Sequence, residues 1–178
     1  PMKVTHAGRW VRIAGVVAVG LVTGCSETPW EAIESSDGEF RAEFPGPTRT
    51  LTRTTQTARG PVTIHYLVHE TDDSAYTAVY SDYPAELLAD TTTARLLDGA
   101  VDGMVTNVRG TLLAEADIRL GPYTGREVTI RTANGGHEVH ARVFIAGRRL
   151  YQLQAAMPAN RWFVSDARTF LESFEILD

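Results

Sequence analysis

The chain has 178 residues, 43% hydrophobic and 22% charged, which suits one globular domain able to bury its own core. Its single cysteine, Cys25, excludes an intramolecular disulfide framework and a cysteine-rich metal site. Lys3, Arg9 and Arg12 account for three of the 17 basic residues, and all 22 acidic residues follow Cys25, so the chain from Cys25 onward carries about −8, a balance that argues against a nucleic-acid partner.

Residues 2–12 form a basic leader, with Met2 read as the start and Pro1 given no role. Residues 13–22, "IAGVVAVGLV", are an unbroken apolar run. Such a run is too short to span a bilayer, which takes about 20 residues, but has the proportions of a signal-peptide core. Two glycines and the basic flank count against the alternative of a buried helix. "LVTGC" then resembles the bacterial lipobox: Val22, small Thr23 and Gly24, then Cys25. The resemblance implies cleavage before Cys25 and acylation of its sulfur and new amino group. Two or more acyl chains anchor stably where one does not. Ser26 at the following position, in place of Asp, implies the outer membrane in a Gram-negative cell, and otherwise the outer face of the cell membrane. Residues 1–24 are thus a lipoprotein signal peptide, 25–29 the lipidated cysteine and a tether, and 30–178 one domain. Four extended residues, Ser26 to Pro29, reach only about 14 Å, so the domain is expected close to the bilayer.

"WEAIES" and "GEFRAEFPG" read as short strands around a turn at Ser36–Asp37–Gly38. In "PVTIHYLVHE", Val62, Ile64, Tyr66 and Val68 alternate with Thr63, His65, Leu67 and His69, as in a strand whose second face is polar. "ETDDS" is a turn and "AYTAVYSDYP" a fourth strand. A helix over 93–108, capped by Asp90 or Thr91, carries the stripe Leu96, Leu97, Ala100, Val101, Met104, Val105 and Val108 and must pack on a sheet. "TLLAEADIRL" and "GREVTIRT" are strands, and "ANGG" turns the chain between "HEVHARVFIA" and "GRRLYQLQAAM". A last helix is expected over about 161–175, with Phe163, Ala167, Phe170, Leu171 and Phe174 on one face, or starting later under a Ser165 cap. Four strands, a helix, four strands and a helix predict an α+β fold: an antiparallel β-sheet sandwich with covering helices.

"SSDGEFRAEFPG", "YSDYP", "LGPYTGREVTI", "RVFIAGRRLYQLQA" and "RTFLESFEIL" resemble bacterial secreted lipoproteins with Mog1/PsbP-like domains, over about residues 30–178. The resemblance implies that fold. Its branches differ in role, from photosystem support to GTPase binding and envelope lipid traffic, so it implies no site residue.

Candidate chemistry is sparse. "HEVH", His137–His140, is one residue short of the HExxH zinc motif and sits in a strand, where residues three apart face opposite ways. His65 and His69 share a strand face but stand about 13 Å apart and read as surface histidines. Glu138, His140 and Arg142 line one face of their strand. Asp98 and Asp102, with Arg95 nearby, read as a solvated helix face, and Asp72 and Asp73 as turn formers. Tyr66, Tyr76, Tyr80, Tyr83 and Tyr151 read as strand core residues, and Arg148 and Arg149 as a solubilising hairpin tip. No GxSxG elbow, P-loop or GxGxxG is present. No catalytic residue, metal or cofactor is therefore assigned, and Cys25, as a lipid attachment, is not a nucleophile. The first expectation is a non-enzymatic accessory module that contacts an envelope protein. The second is a small-ligand or lipid-binding domain with a groove between sheet and helix. A hydrolase or metal enzyme built from His65, His140 and a carboxylate ranks last.

Overall fold

The computed structural model describes residues 30–57, 60–162 and 166–177, so the leader, Cys25, Phe163 and Ser165 lie outside the described residues. Strand β1 (Glu31–Ser35) turns through Gly38 into β2 (Phe40–Phe44). Alternation in "FRAEF" puts Phe40, Ala42 and Phe44 on one side of β2, where all three are fully buried. Gly38 is needed in that turn, because a Cβ there would lie 2.7 Å from the Phe40 ring.

The next three strands, β3 (Arg49–Thr57), β4 (Gly60–Glu70) and β5 (Ala75–Asp82), form a meander. A short helix α1 (Ala85–Ala89) and α2 (Thr93–Asn107) follow, then a second meander. Its strands are β6 (Thr111–Leu120), β7 (Tyr123–Arg131), β8 (His137–Ala146) and β9 (Arg149–Pro158). Pairing of β5 with β9 joins the two meanders into one antiparallel sheet, ordered β3-β4-β5-β9-β8-β7-β6. Helix α3 (Ala167–Glu172) leads to β10 (Glu175–Ile176), which pairs with β2, so a separate three-stranded sheet runs β1-β2-β10.

Both faces of the large sheet are covered, by different means. On one, the apolar stripe of α2 buries Leu96, Leu97, Ala100, Val101 and Met104. They pack against Val128 and Ile130 of β7 and Val139, Ala141, Val143 and Ile145 of β8. On the other, the small sheet and α3 press Phe40, Phe44, Phe170 and Phe174 onto Tyr76, Tyr80, Phe144 and Tyr151. Edge-to-face contacts run through this layer, including Phe40 with Tyr80 at 6.0 Å and with Tyr151 at 6.1 Å.

The expected element order needs correction at several points, beyond the added helix α1 and strand β10. Five strands, not four, precede the helices, because β3 lies at the sheet edge, is exposed along its whole length and shows no apolar alternation. The strands around Gly38 leave the large sheet to form a layer of their own. The last helix spans six residues and starts after Asp166; Phe174 lies beyond its end and is still buried. Helix α2 packs on the sheet as expected, and its cap is Thr92, whose hydroxyl accepts from the Arg95 amide at 3.3 Å. Among the described residues no helix is long and apolar enough to cross a bilayer.

Candidate functional site

The face of the large sheet under the small sheet carries most of the polar candidates, in cross-strand rows. One row runs Thr52, His65, Tyr80, Tyr151, Phe144, Gly125 and Ile118. Another runs His69, Tyr76, Ala155, His140, Thr129 and Ala114. His65 and His69 do share a face, but it is the inner one. His65 stacks on Tyr80 at 4.5 Å, and His69 is buried with Nδ1 2.9 Å from the Pro47 carbonyl. Those contacts let the His69 imidazole occupy an interior that the sequence pattern marks as surface, while His65 stays half-buried.

His140 lies three strands and two rows from His65, roughly 20 Å by strand geometry. The His65–His140–carboxylate composite is therefore not assembled. Glu138, His140 and Arg142 share a face as expected, yet each has its own partner. Glu138 accepts from Arg131 at 2.7 Å. Arg142 donates to Glu127 at 2.6 Å and to the Leu171 carbonyl at 3.3 Å, which ties α3 to β8. His140 stacks on Trp162 at 3.7 Å, with Nδ1 3.2 Å from the Thr129 hydroxyl. Its buried Nε2 has no hydrogen-bond partner, the nearest carboxylate oxygen of Glu138 standing 3.5 Å away. Burial lowers the ring's pKa more than Glu138 raises it.

Asp98 pairs with Arg126 rather than with Arg95, and Glu115 and Asp117 join the same guanidinium. Asp102 is exposed on α2. Asp73 caps its turn through Ser74 and pairs with Arg161 at 2.7 Å, and Asp72 is exposed beside it. Tyr76, Tyr80 and Tyr151 are core residues as expected, whereas Tyr66 is half-buried on the opposite face and Tyr83 lies just past β5. Among the described residues no three histidines, cysteines or carboxylates are grouped to hold a metal.

Arg149 corrects the hairpin-tip reading. The β8–β9 turn is Gly147–Arg148, so Arg148 is exposed at the tip while Arg149 opens β9 and is only 17% exposed. Its guanidinium donates to both oxygens of Asp82, at 2.8 and 3.0 Å. It also donates to Glu39 at 2.8 Å and the Asp37 carbonyl at 3.1 Å. Beside it the Tyr151 hydroxyl donates to the Gly38 carbonyl at 2.8 Å. These groups fasten the β1–β2 turn to the end of the large sheet, and the Asp82 hydrogen bonds raise the Arg149 pKa further.

Among the described residues, open space lies around the β6–β7 hairpin, where no candidate residue was placed. A groove of about 170 Å³ lies between β6 and α3, bounded by Ile118, Arg119, Leu120, Phe144, Leu171 and Phe174 among others. A second, of about 360 Å³, shares Leu120 and runs over Tyr123 to Ile176. A third, of about 520 Å³, shares Ile118 and Arg119 and opens on the α2 side toward Ala94 and Arg126. Gly125 shapes the first. A Cβ there would lie 2.4 Å from the Val143 carbonyl and 2.5 Å from the Phe144 ring, so glycine leaves room for that ring at the groove. No local signal marks these residues, because their partners come from β8, α2 and the chain's last turn. The margin is amphipathic and open.

No protein-family model matches the chain, and no curated protein sequence matches it significantly. Among solved structures, the solution structure of cyanobacterial PsbP (CyanoP) from Synechocystis aligns with a TM-score of 0.59 at 12% identity, covering 89% of this chain and 98% of that one. The fold is PsbP-like. PA94 from Pseudomonas aeruginosa, a protein of unknown function, aligns with a TM-score of 0.37 at 11% identity, covering 74% of this chain and 84% of that one. The Mog1/PsbP-like expectation drawn from the motifs thus holds for the fold, and at 12% identity a PsbP-like fold assigns no site residue.

Proposed function

We propose that the chain is an exported bacterial lipoprotein, held to the membrane through acylated Cys25, that acts as a non-enzymatic accessory module by docking another cell-envelope protein. One observation carries the docking reading. Among the described residues, interlocking aromatic rings fill the space between the layers, while an open, amphipathic margin lies around Ile118, Arg119 and Leu120. A buried-ligand reading would need an apolar pocket in the volume those rings occupy. The separation of His65 from His140 removes the support for a hydrolytic centre built on them.

The test is site-specific photocrosslinking in intact membranes. A crosslinker at Arg119 should give one discrete protein adduct, and the same group at Gln56, on the opposite edge of the sheet, should not. Absence of an adduct from Arg119, or an equal pattern from both positions, would overturn the docking reading.

A further inference from the structure

Leu51, Leu112 and Leu113 are the exposed large apolar residues among those described, and two of them are consecutive. A regular strand would send neighbours to opposite faces. Here the β6–β7 register shifts between Leu112 and Ala114, so Leu113 has no partner in β7, and both leucines remain in the open, at 37% and 45% exposure. Two arginines flank them. Arg109 is exposed at the end of α2, and Arg131 pairs with Glu138 yet keeps 48% of its side chain accessible. The Arg109 backbone holds a left-handed φ of 49°, a position that glycine takes without strain, so the backbone does not account for an arginine there.

The location of this corner gives it an occupant. Phe44, partner of Glu31, packs on Phe170 at 5.0 Å, and Phe170 packs on Tyr76 at 5.5 Å, in the row that ends at Ala114. Trp30 therefore enters at the same end of the strands as the start of β6, and the β6–β7 hairpin lies at the opposite end. Four residues separate Trp30 from Cys25, a reach of about 14 Å. We infer that Leu112 and Leu113 insert into the headgroup region of an anionic bilayer, with Arg109 and Arg131 on lipid phosphates. This inference rests on the anchoring reading above. The molecule then stands on one end of its sheet and presents the β6–β7 margin away from the lipid. Leucines supply the apolar insertion and guanidinium groups the phosphate contacts, against the exposed Glu70, Asp72 and Asp73 of the β4–β5 turn at the same end of the sheet.

The acylated protein, extracted and reconstituted in phosphatidylethanolamine–phosphatidylglycerol vesicles, provides the test. Leu113→Cys and, separately, Arg148→Cys would carry an environment-sensitive dye, the acylated Cys25 being closed to labelling. Vesicle flotation reads anchoring, and brominated acyl chains read depth. The dye at position 113 should shift to the blue and be quenched, while that at 148 should report water. Leu112→Cys should repeat the result if the first substitution disturbs the bulge, and Arg109→Glu should weaken the quenching. Protein that floats with the vesicles while its dye at 112 or 113 reports water overturns this orientation and leaves anchoring intact. Equal quenching at 113 and 148 overturns it as well. Protein that does not float overturns the anchoring reading, and this inference with it.

Discussion

Arg149 shows what a single side chain contributes here. It joins β9 to Asp82 of β5 and to the β1–β2 turn, and its contact with Tyr80, 5.4 Å from the ring centroid, extends the line of stacked rings that starts at His65. Removing it with Arg149→Met strands Asp82 and Glu39 and should cost about 1.5–3 kcal/mol in urea denaturation, the range for hydrogen bonds to charged groups. An unchanged midpoint would mean that the turn is held by Tyr151 alone. The sequence placed Arg149 in the right hairpin but at the wrong position. A two-residue turn leaves the second arginine inside the strand, and its acidic partners come from segments 67 and 110 residues away. His140 carries a pH signature. Burial holds its pKa below the ordinary 6.5, so the unfolded chain binds a proton on this ring before the folded one does. Its contribution to stability is therefore full above about pH 6.5 and declines as pH falls through that value toward the lower folded pKa. His140→Gln should flatten the decline in unfolding free energy between neutral and mildly acidic pH. Parallel profiles for the two proteins would contradict it.

At the scale of elements, legibility followed burial on one face. Helix α2 was readable because its stripe faces a single sheet, and Leu97, fully buried in that stripe, should cost about 2–5 kcal/mol on replacement by alanine. The exposed Arg95→Ala change, which keeps the backbone N–H that Thr92 accepts, should stay within about 0.5 kcal/mol. Thermal unfolding of the two variants checks the contrast, and similar midpoints would mean that α2 is peripheral to the fold. Strand β3 was not readable for the converse reason. "RTLTRTTQT" is held by its ladder to β4 and by threonine contacts such as Thr54 to Thr63 at 3.2 Å, with neither face buried. Charged and polar side chains on such an edge also discourage pairing with other chains. In β4 the alternation was read correctly and its inner face was not, because Leu67, His65 and His69 are covered by a layer that the strand's own sequence does not mention.

For the whole molecule, the α+β character was legible in the sequence and the layering was not. The separate β1-β2-β10 sheet depends on a two-residue strand at the far end of the chain. The β6–β7 grooves were hidden for the same reason, since their walls come from residues as distant as Ala94 and Ile176. The reading of Cys25 runs the other way: it rests on five consecutive residues and lies outside the described structure. Docking and bilayer orientation both depend on it, so the most direct measurement is the intact mass of the protein extracted from bacterial membranes. A chain beginning at Cys25 and carrying diacylglyceryl and amide-linked acyl groups is the expected result, with Cys25→Ala protein found in the soluble fraction. A membrane-extracted chain that retains residues 2–24 and an unmodified Cys25 would contradict it.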